Sequence, residues 1–366
     1  MINMKIIAFY LPQYHQILEN DNWWGKGFTE WTNVKKAKPI FCGHYQPREP
    51  LNDNYYNILN LDTQEWQANI AKKHGIYGFC YYHYWFKGKR LLEKPLEQIL
   101  QNGKPDFPFC LSWANQSWTR AWYDDNETIL ISQEYGNKKD WKEHFDYLLP
   151  IFQDKRYISI NSKPIFLIYN SKDIDQCNEM IYYWQQLAKD NGLIGLYFIS
   201  TLTGLPIDNR SLNFDAQLEF EPGYTTNHAM PIIWRILRKS KAGIKRVINK
   251  IRFIENKVEN IIDYDEIYKN IVKRKPNNQK TYLGAFTDWD NTPRREYKSI
   301  VFKGANPEKF EKYLVMQINK SKKLYKNDLL FINAWNEWGE GAYLEADKMF
   351  GFKYLEAVKK AFKKTI

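Results

Sequence analysis

Two glutamates near the carboxyl end, Glu337 and Glu340, are spaced so that they could act together as acids and bases. They lie in the segment 331–341, FINAWNEWGEG, after an apolar run over 329–332 that predicts a buried strand. If the chain turns helical after Trp335, the two side chains share one face, with Cβ atoms roughly 5–6 Å apart. Carboxyl groups about 5–5.5 Å apart are typical of retaining glycosidases. The alternative is a capped strand end whose acids are solvated.

Eight apolar runs, alternating with helical patterns, must position these glutamates within the 366-residue chain. They predict strands at 5–11, 76–82, 107–112, 164–169, 195–200, 214–220, 282–287 and 329–332. Strands that alternate with helices are typical of a parallel sheet. Eight such units predict an α/β fold with one (β/α)8 TIM barrel domain over residues 1–366. The fifth unit is the weakest, because residues 202–212 leave little room for a helix.

Two insertions interrupt the predicted barrel. A long one, at about 12–62, is predicted to be irregular and separates the first strand from its helix, and a basic helical one, at about 222–263, follows the sixth strand. A doubly wound open sheet is the alternative fold. That fold needs a Gly-rich first turn, which Pro12-Gln-Tyr-His15 does not resemble.

Polar and aromatic residues recur at the predicted carboxyl ends of the strands, where TIM barrels gather their functional groups. A barrel that had only to fold would not need them at one rim. The predicted substrate-binding residues are Tyr10, His15, Trp31, His83, Trp85, Trp113, Asn115, Tyr169, Glu219, Trp289, Asp290, Asn333, Trp335 and Asn336. Among them, Trp113, Trp289 and Trp335 are expected to stack on sugars, while Asn115, Asn333 and Asn336 are expected to bind hydroxyl groups. His15 and His83 could instead be hydrogen-bonded structural residues.

Other kinds of catalytic site find less support. Asp288-x-Asp290 has the form of a motif that binds a metal and a nucleotide sugar, but its position at the end of a barrel strand favours a sugar-contacting pair or an ion pair with Arg294 or Arg295. No cluster of His, Asp and Glu requires a metal, and the G-x-S-x-G signature of a serine nucleophile is absent. The sequence therefore predicts an enzyme without a metal or other cofactor.

The net charge of +11 favours anionic partners. The predicted insertion over 232–262 is a basic amphipathic helix pair that could contact an anionic inner membrane, or could simply be a solvated hairpin. No pattern for nucleic-acid binding is present, and no apolar run is long enough to span a bilayer. The four cysteines lack metal-binding spacing, and Cys80 and Cys110 are predicted to be buried thiols. With no signal peptide at the amino terminus, we expect a cytoplasmic protein, peripheral to the inner membrane if the insertion binds it.

Five segments give the chain a family resemblance. They are AFYLPQYH at 8–15, WWGKGFTEW at 23–31, GFCYYHYWF at 78–86, WDNTPR at 289–294 and NAWNEWGEG at 333–341. These long motifs resemble the WbsX-like family of the glycoside hydrolase family 99-like group, over nearly the whole chain except the basic insertion. The resemblance implies a (β/α)8 barrel with a role in bacterial surface polysaccharide, O-antigen or capsule. WbsX-like members are often described as glycosyltransferases, whereas the better understood family 99 hydrolases are retaining endo-α-mannosidases.

The resemblance also implies roles for the two glutamates. The hydrolases carry Glu-Trp-His-Glu-Gly at the eighth strand, where the first glutamate assists the substrate 2-hydroxyl as internal nucleophile through an anhydro-sugar. Their second glutamate is general acid and then base. The first role falls on Glu337 and the second on Glu340, while Gly339 stands where the hydrolases have histidine, which bears on the substrate contacts.

Three hypotheses follow. The favoured one is a retaining glycosidase-type enzyme acting on a bacterial oligosaccharide or polysaccharide. The second is a glycosyltransferase with a nucleotide- or lipid-linked donor, and the third is a glycan-binding barrel without catalysis.

Overall fold

Eight parallel strands close into a barrel in the computed structural model, which describes residues 4–120, 128–238, 240, 243, 260–277 and 279–365. The barrel strands, numbered here β1 to β8, are Lys5–Tyr10, Ile76–Phe86, Phe109–Trp113, Lys163–Ile168, Tyr197–Leu202, Ala216–Glu219, Thr281–Phe286 and Leu329–Asn333. Each strand pairs in parallel with the next along the chain, and β1 pairs with both β2 and β8. The predicted (β/α)8 TIM barrel is confirmed.

The strands form where the sequence has apolar runs because both of their faces are covered. All five residues of β8 are buried, and five of the six residues of β1 are. Strands of an all-parallel sheet are buried on both faces, so they read as continuous apolar runs. Cys80 in β2 and Cys110 in β3 are buried thiols, as predicted.

Seven helices, numbered here α1 to α7, follow the strands. They are Leu61–Lys73, Lys94–Asn102, Lys138–Phe152, Cys177–Asp190, Tyr264–Lys273, Pro307–Lys320 and Lys353–Lys363. Several begin at a side chain that accepts a hydrogen bond from a first-turn backbone N–H, as Asn137 does before α3 and Asn306 before α6. The segment between β5 and β6, all of which is described, contains no helix. The fifth unit is therefore short of its helix, as its sequence indicated.

Short strands and helical turns lie between the barrel strands and the seven helices. The short strands are Lys89–Leu91, Trp118–Thr119, Ile129–Ile131, Ser159–Ile160, Asn260–Asp263, Ile300–Lys303, Asn336–Glu337 and Ala342–Tyr343. Short helical turns lie at Leu51–Asp53, Ser171–Asp173, Thr225–Ala229, Thr292–Arg295, Glu296–Lys298, Ser321–Tyr325 and Trp338–Glu340.

The first insertion is more regular than predicted. It contains two helices, Leu18–Trp24 and Glu30–Lys36, in a stretch expected to be irregular. Trp31 and Val34 are buried, and the Trp31 ring lies 5.5 Å from that of Trp338 after β8. Packing against the barrel mouth stabilises a helix that is too short to be stable alone.

The second insertion is described only in part. Residues 232–238 are helical, and their exposed apolar side chains include Ile233 and Ile236. Of the rest of the predicted basic helix pair, residues 240 and 243 are helical, whereas 260–262 belong to the short strand Asn260–Asp263, so the prediction of a helix is wrong there. The other residues of the pair, and with them the predicted membrane contact, lie outside the part that the structure describes. Within the described ranges, no helix combines the length and the apolar content that a bilayer crossing requires.

Candidate active site

A tight hairpin after β8 positions both glutamates at the mouth of the barrel. Asn336–Glu337 pairs with Ala342–Tyr343, and a single 3-10 turn, Trp338–Glu340, lies between them. Asn336 ties this hairpin to the end of β1: Oδ1 accepts from the Leu11 N–H at 2.7 Å, and Nδ2 donates to the Leu11 carbonyl at 3.0 Å. This turn replaces the helix that the spacing of the glutamates suggested.

One guanidinium group, that of Arg294, joins the two glutamates. Its Nη2 donates to Glu337 at 2.9 Å and its Nη1 donates to Glu340 at 2.8 Å. Its Nε donates to a third carboxylate, that of Glu30, at 2.6 Å. Arg294 follows β7 in the Thr292–Arg295 turn, whereas Glu30 comes from the first insertion. The fold thus gathers three acids and one cation from distant parts of the chain.

Burial sets the protonation of this cluster. It raises the pKa of Glu337 and of Glu340 above the ordinary glutamate range, although the neighbouring Arg294 acts in the opposite direction. Glu30 raises both values further by repulsion between like charges. Raised pKa values favour a protonated carboxyl group near neutral pH, while Arg294 stabilises an ionised carboxylate beside it, and an acid–base pair requires this combination.

The glutamates open onto a cavity of about 700 Å³ at the carboxyl ends of the strands. This volume is within the range of ligand pockets, roughly 300–1,000 Å³. Aromatic side chains form much of its wall: Trp24, Phe28, Tyr82, Tyr84, Trp118, Tyr169, Phe220, Trp289 and Phe302. Its charged lining residues are Glu30, Arg238, Arg294, Arg295, Glu337 and Glu340. Such a cavity offers aromatic rings for stacking and charged groups for chemistry.

Four of the residues predicted from sequence line this cavity, namely Glu337, Glu340, Tyr169 and Trp289. The other predicted substrate-binding residues lie elsewhere, most of them buried in hydrogen-bonded structural positions.

The predicted residues of β2 and β3 face the helical layer. The His83 ring bonds His144 of α3 through their Nε2 atoms at 2.8 Å, and the Trp85 ring stacks on His144 at 4.5 Å. Trp113 is buried against the same histidine, with ring centroids 4.8 Å apart. On β2 it is the neighbours, Tyr82 and Tyr84, that reach the cavity.

The remaining aromatic residues that were predicted to bind substrate pack beside the barrel wall. Tyr10 donates to Gln67 of α1 at 2.6 Å, and the Trp31 Nε1 donates to the Tyr56 carbonyl at 2.8 Å. Trp335 is fully buried, and its ring lies 5.0 Å from that of Phe79.

The predicted asparagines and Glu219 also have hydrogen-bond or ion-pair partners within the protein. Asn115 bonds the backbone of Asn170 in both directions, and the Asn333 Nδ2 donates to the Glu221 carbonyl at 3.1 Å. Asn336 bonds Leu11 as described above. Glu219 is 2.7 Å from Arg274.

His15 lies in a second cleft beneath the first insertion. This cleft is lined in part by Tyr14, Lys35 and Tyr55, and none of its lining residues belongs to the aromatic cavity. Burial lowers the pKa of His15 to about 4, so its ring is neutral near pH 7.

The Asp288-x-Asp290 motif is held in a buried charge cluster. Asp288 is 2.7 Å from Arg48, while Asp290 is 2.8 Å from His44 and accepts from Gln46 at 2.7 Å. The suggested ion pair with Arg294 or Arg295 is wrong, because the first insertion supplies Arg48 and His44 from far along the chain. Among the described residues, no group of three or more His, Cys, Asp or Glu side chains is arranged to hold a metal ion.

Four residues of the site were not predicted from the sequence: Arg294, Glu30, Tyr82 and Tyr84. The two tyrosines could have been found from the sequence, because side chains alternate between the two faces of a strand. If one residue of β2 faces the cavity, its immediate neighbours cannot. Nothing in the local sequence of Glu30 or Arg294 reveals that they meet.

Comparisons with known proteins agree with this architecture. The profile of a family described as "Glycosyltransferase WbsX" matches residues 6–358. The protein WxcX of Xanthomonas campestris pv. campestris, described as uncharacterised, is 33% identical over 359 residues. That match covers 97% of this chain and 49% of WxcX, so the chain spans about half the length of the curated relatives it matches.

Solved structures show a similar fold. A glycoside hydrolase-like protein superimposes with a TM-score of 0.61 at 14% identity, covering 99% of this chain and 95% of the other. The GH99 endo-alpha-mannosidase of Bacteroides thetaiotaomicron superimposes with a TM-score of 0.57 at 13% identity, covering 100% and 99% of the two chains. At these identities the similarity shows the fold alone.

Proposed function

This chain belongs to the WbsX glycosyltransferase family, and from that premise we propose that it is a carbohydrate-active enzyme that breaks glycosidic bonds with retention of anomeric configuration. One observation carries the proposal: Glu337 and Glu340 bind the same guanidinium group at the edge of an aromatic-walled cavity. A shared guanidinium keeps the two carboxyl groups close, and retaining enzymes need a short separation, about 5–5.5 Å.

The proposed reaction has two steps. Glu340, protonated, gives its proton to the leaving glycosidic oxygen as the bond to the anomeric carbon breaks. Glu337, ionised, either removes the proton of the 2-hydroxyl, so that this oxygen closes on the anomeric carbon, or attacks that carbon itself. In the second step Glu340 takes the proton of the incoming hydroxyl as its oxygen attacks the anomeric carbon. On the first route the bond from that carbon to the 2-oxygen breaks and Glu337 returns its proton to the 2-oxygen; on the second route the bond to Glu337 breaks and Glu337 leaves as a carboxylate. Both routes restore the starting protonation and give net retention.

The cavity wall suits a sugar substrate. Trp118 and Trp289 are partly exposed, so their apolar faces are available to stack on sugar rings. Because the resemblance points to bacterial surface polysaccharides, we propose an oligosaccharide or polysaccharide of that class as substrate.

A transferase is the second candidate, favoured by the description of the family. If a sugar hydroxyl rather than water completed the second step, the same pair of glutamates would transfer a glycosyl group. A transferase that uses a nucleotide sugar and Mn²⁺ needs free ligands, whereas Asp288 and Asp290 are engaged with Arg48 and His44. Titration calorimetry with nucleotide sugars and Mn²⁺ separates the two: tight, metal-dependent binding would favour a nucleotide-sugar transferase.

In the central experiment, the surface polysaccharide of the organism that produces this protein (its host) is treated with the purified protein. Mass analysis before and after treatment detects cleavage, and proton NMR at early times gives the configuration of the first product. We expect shortened chains whose new reducing ends keep the original configuration. An inverted first product would contradict the retaining mechanism, and binding without cleavage would favour the glycan-binding alternative.

A further inference from the structure

Glu30 occupies a position that the proposed chemistry does not yet explain. Its side chain is almost completely buried at the cavity, where its Oε1 accepts from the Arg294 Nε at 2.6 Å. The two terminal nitrogens of Arg294 bind Glu340 and Glu337. Each nitrogen of the guanidinium group therefore serves a different carboxylate, and Glu30 engages the one nearest the stem of the side chain.

Gly339 leaves the space that this contact requires. A Cβ atom on residue 339 would lie 1.9 Å from the Glu30 Oε1 and 2.7 Å from the Arg294 Nε. Real Cβ atoms do not approach other atoms so closely, so a side chain at 339 would displace Glu30, Arg294 or both from the positions in which they meet. The glycine lies between the two proposed catalytic glutamates, so the space it leaves opens directly onto their shared partner.

We propose that Glu30 is a positioning residue that holds Arg294 between Glu337 and Glu340, and that Gly339 makes this contact sterically possible. The proposal rests on the proposed function of the two glutamates. A guanidinium group is a rigid planar fork. Once its Nε is anchored, the directions of its two terminal nitrogens are set, and with them the placement of both carboxyl groups.

Glu30 also contributes its charge. Among the described residues, the groups that interact electrostatically with the two glutamates include Arg294, Arg295, Glu30, Tyr14, Tyr82, Tyr84 and Tyr169. Burial raises the pKa of each of these tyrosines, so they are neutral near pH 7. The charged neighbours are then Glu30 and the two arginines. Glu30 is the one whose removal makes both glutamates easier to ionise.

The first test is Glu30→Gln, which keeps the size of the side chain and removes its charge. We expect kcat/KM on the host polysaccharide to fall roughly 100-fold, the loss typical of a slightly misplaced catalytic group. We also expect the alkaline limb of the pH–rate profile to move to lower pH, since the general acid ionises more readily. Glu49→Gln is the matched control, because Glu49 is a partly exposed glutamate that pairs with Lys348. Glu49→Gln should leave the alkaline limb of the pH–rate profile at its wild-type position.

The second test is Gly339→Ala, which should displace Glu30 and move the same limb in the same direction. The double variant Glu30→Gln/Gly339→Ala should lose no more activity than the worse single variant, since both changes break one contact. Melting temperatures report whether each variant is folded. A folded Glu30→Gln with an unshifted profile, or additive losses in the double variant, would overturn the proposal. If Glu337→Gln and Glu340→Gln retain activity, it is instead the proposed function that fails.

Discussion

The guanidinium group of Arg48 lies 2.7 Å from the carboxylate of Asp288, and both side chains are nearly buried. Arg48 comes from the first insertion and also donates to the Gly341 carbonyl at 3.1 Å, just past the proposed catalytic turn. This ion pair therefore joins the end of β7, the insertion and the hairpin after β8 behind the cavity. A motif that resembled a metal-binding signature serves here to hold the barrel mouth together.

Replacing Asp288 with asparagine should destabilise the fold. It removes the closer of the two carboxylates that face Arg48, while Asp290 remains 3.6 Å away. Removing one partner of a buried ion pair costs up to about 3–5 kcal/mol. Chemical denaturation measures the free energy of unfolding. Asp53→Asn is the control, because Asp53 pairs with Lys348 at the surface, where such pairs contribute about 0–1 kcal/mol. Equal, small losses in both variants would show that the buried pair does not hold the mouth.

Replacing either proposed catalytic glutamate with glutamine should abolish most activity. Glutamine can neither donate nor accept the transferred proton, and such groups typically contribute 10²–10⁴-fold to the rate. The fold should survive, because glutamine has nearly the size and shape of glutamate and its amide oxygen can still accept a hydrogen bond from Arg294. Activity on the host polysaccharide and the melting temperature are measured together. Full activity in either Glu337→Gln or Glu340→Gln would remove that residue from the mechanism.

Alanine substitutions of two tryptophans, Trp118 and Trp113, should affect different properties of the protein. Trp118 lines the cavity and is partly exposed, so Trp118→Ala should raise KM with little change in stability. Trp113 is buried against His144, so Trp113→Ala should cost about 3–5 kcal/mol of stability. Michaelis kinetics and denaturant unfolding of both variants check the prediction. A raised KM in a fully stable Trp113→Ala would mean that Trp113 contacts the substrate after all.

The His83–His144 pair should make the protein sensitive to acid. Burial lowers the pKa of His83 to about 3 and that of His144 well below its ordinary value. Below about pH 6.5, the unfolded chain binds protons at these histidines that the folded protein does not. Stability contributed by the neutral pair is therefore lost as pH falls below that value, by up to about 1.4 kcal/mol per pH unit for each histidine.

The measurement is unfolding by urea between pH 5 and pH 7, in the wild type and in His83→Gln. The variant should show a shallower loss of stability toward low pH, since one of the two titrating groups is gone. An unchanged slope would indicate that the pair is hydrated or charged in solution.

The strands and their order could be predicted from the sequence because each barrel strand is an apolar run that ends in polar residues. The two glutamates stood out for the same reason, since the run over 329–332 leads directly to them. The prediction of which side chains line the cavity was less accurate. His83 and Trp85 were predicted to face the cavity, but the alternation of side chains along β2 gives those positions to Tyr82 and Tyr84.

The sequence by itself determined a closed barrel of eight parallel strands and placed an acidic pair at the end of the last one. Periodicity and local composition are sufficient for that, because they reflect burial along each element. Only the tertiary structure decided which side of each strand faces the cavity and that Glu30 meets Arg294 beside Gly339. These facts depend on how distant segments pack once the barrel has closed. No local pattern records a contact between residues 264 positions apart.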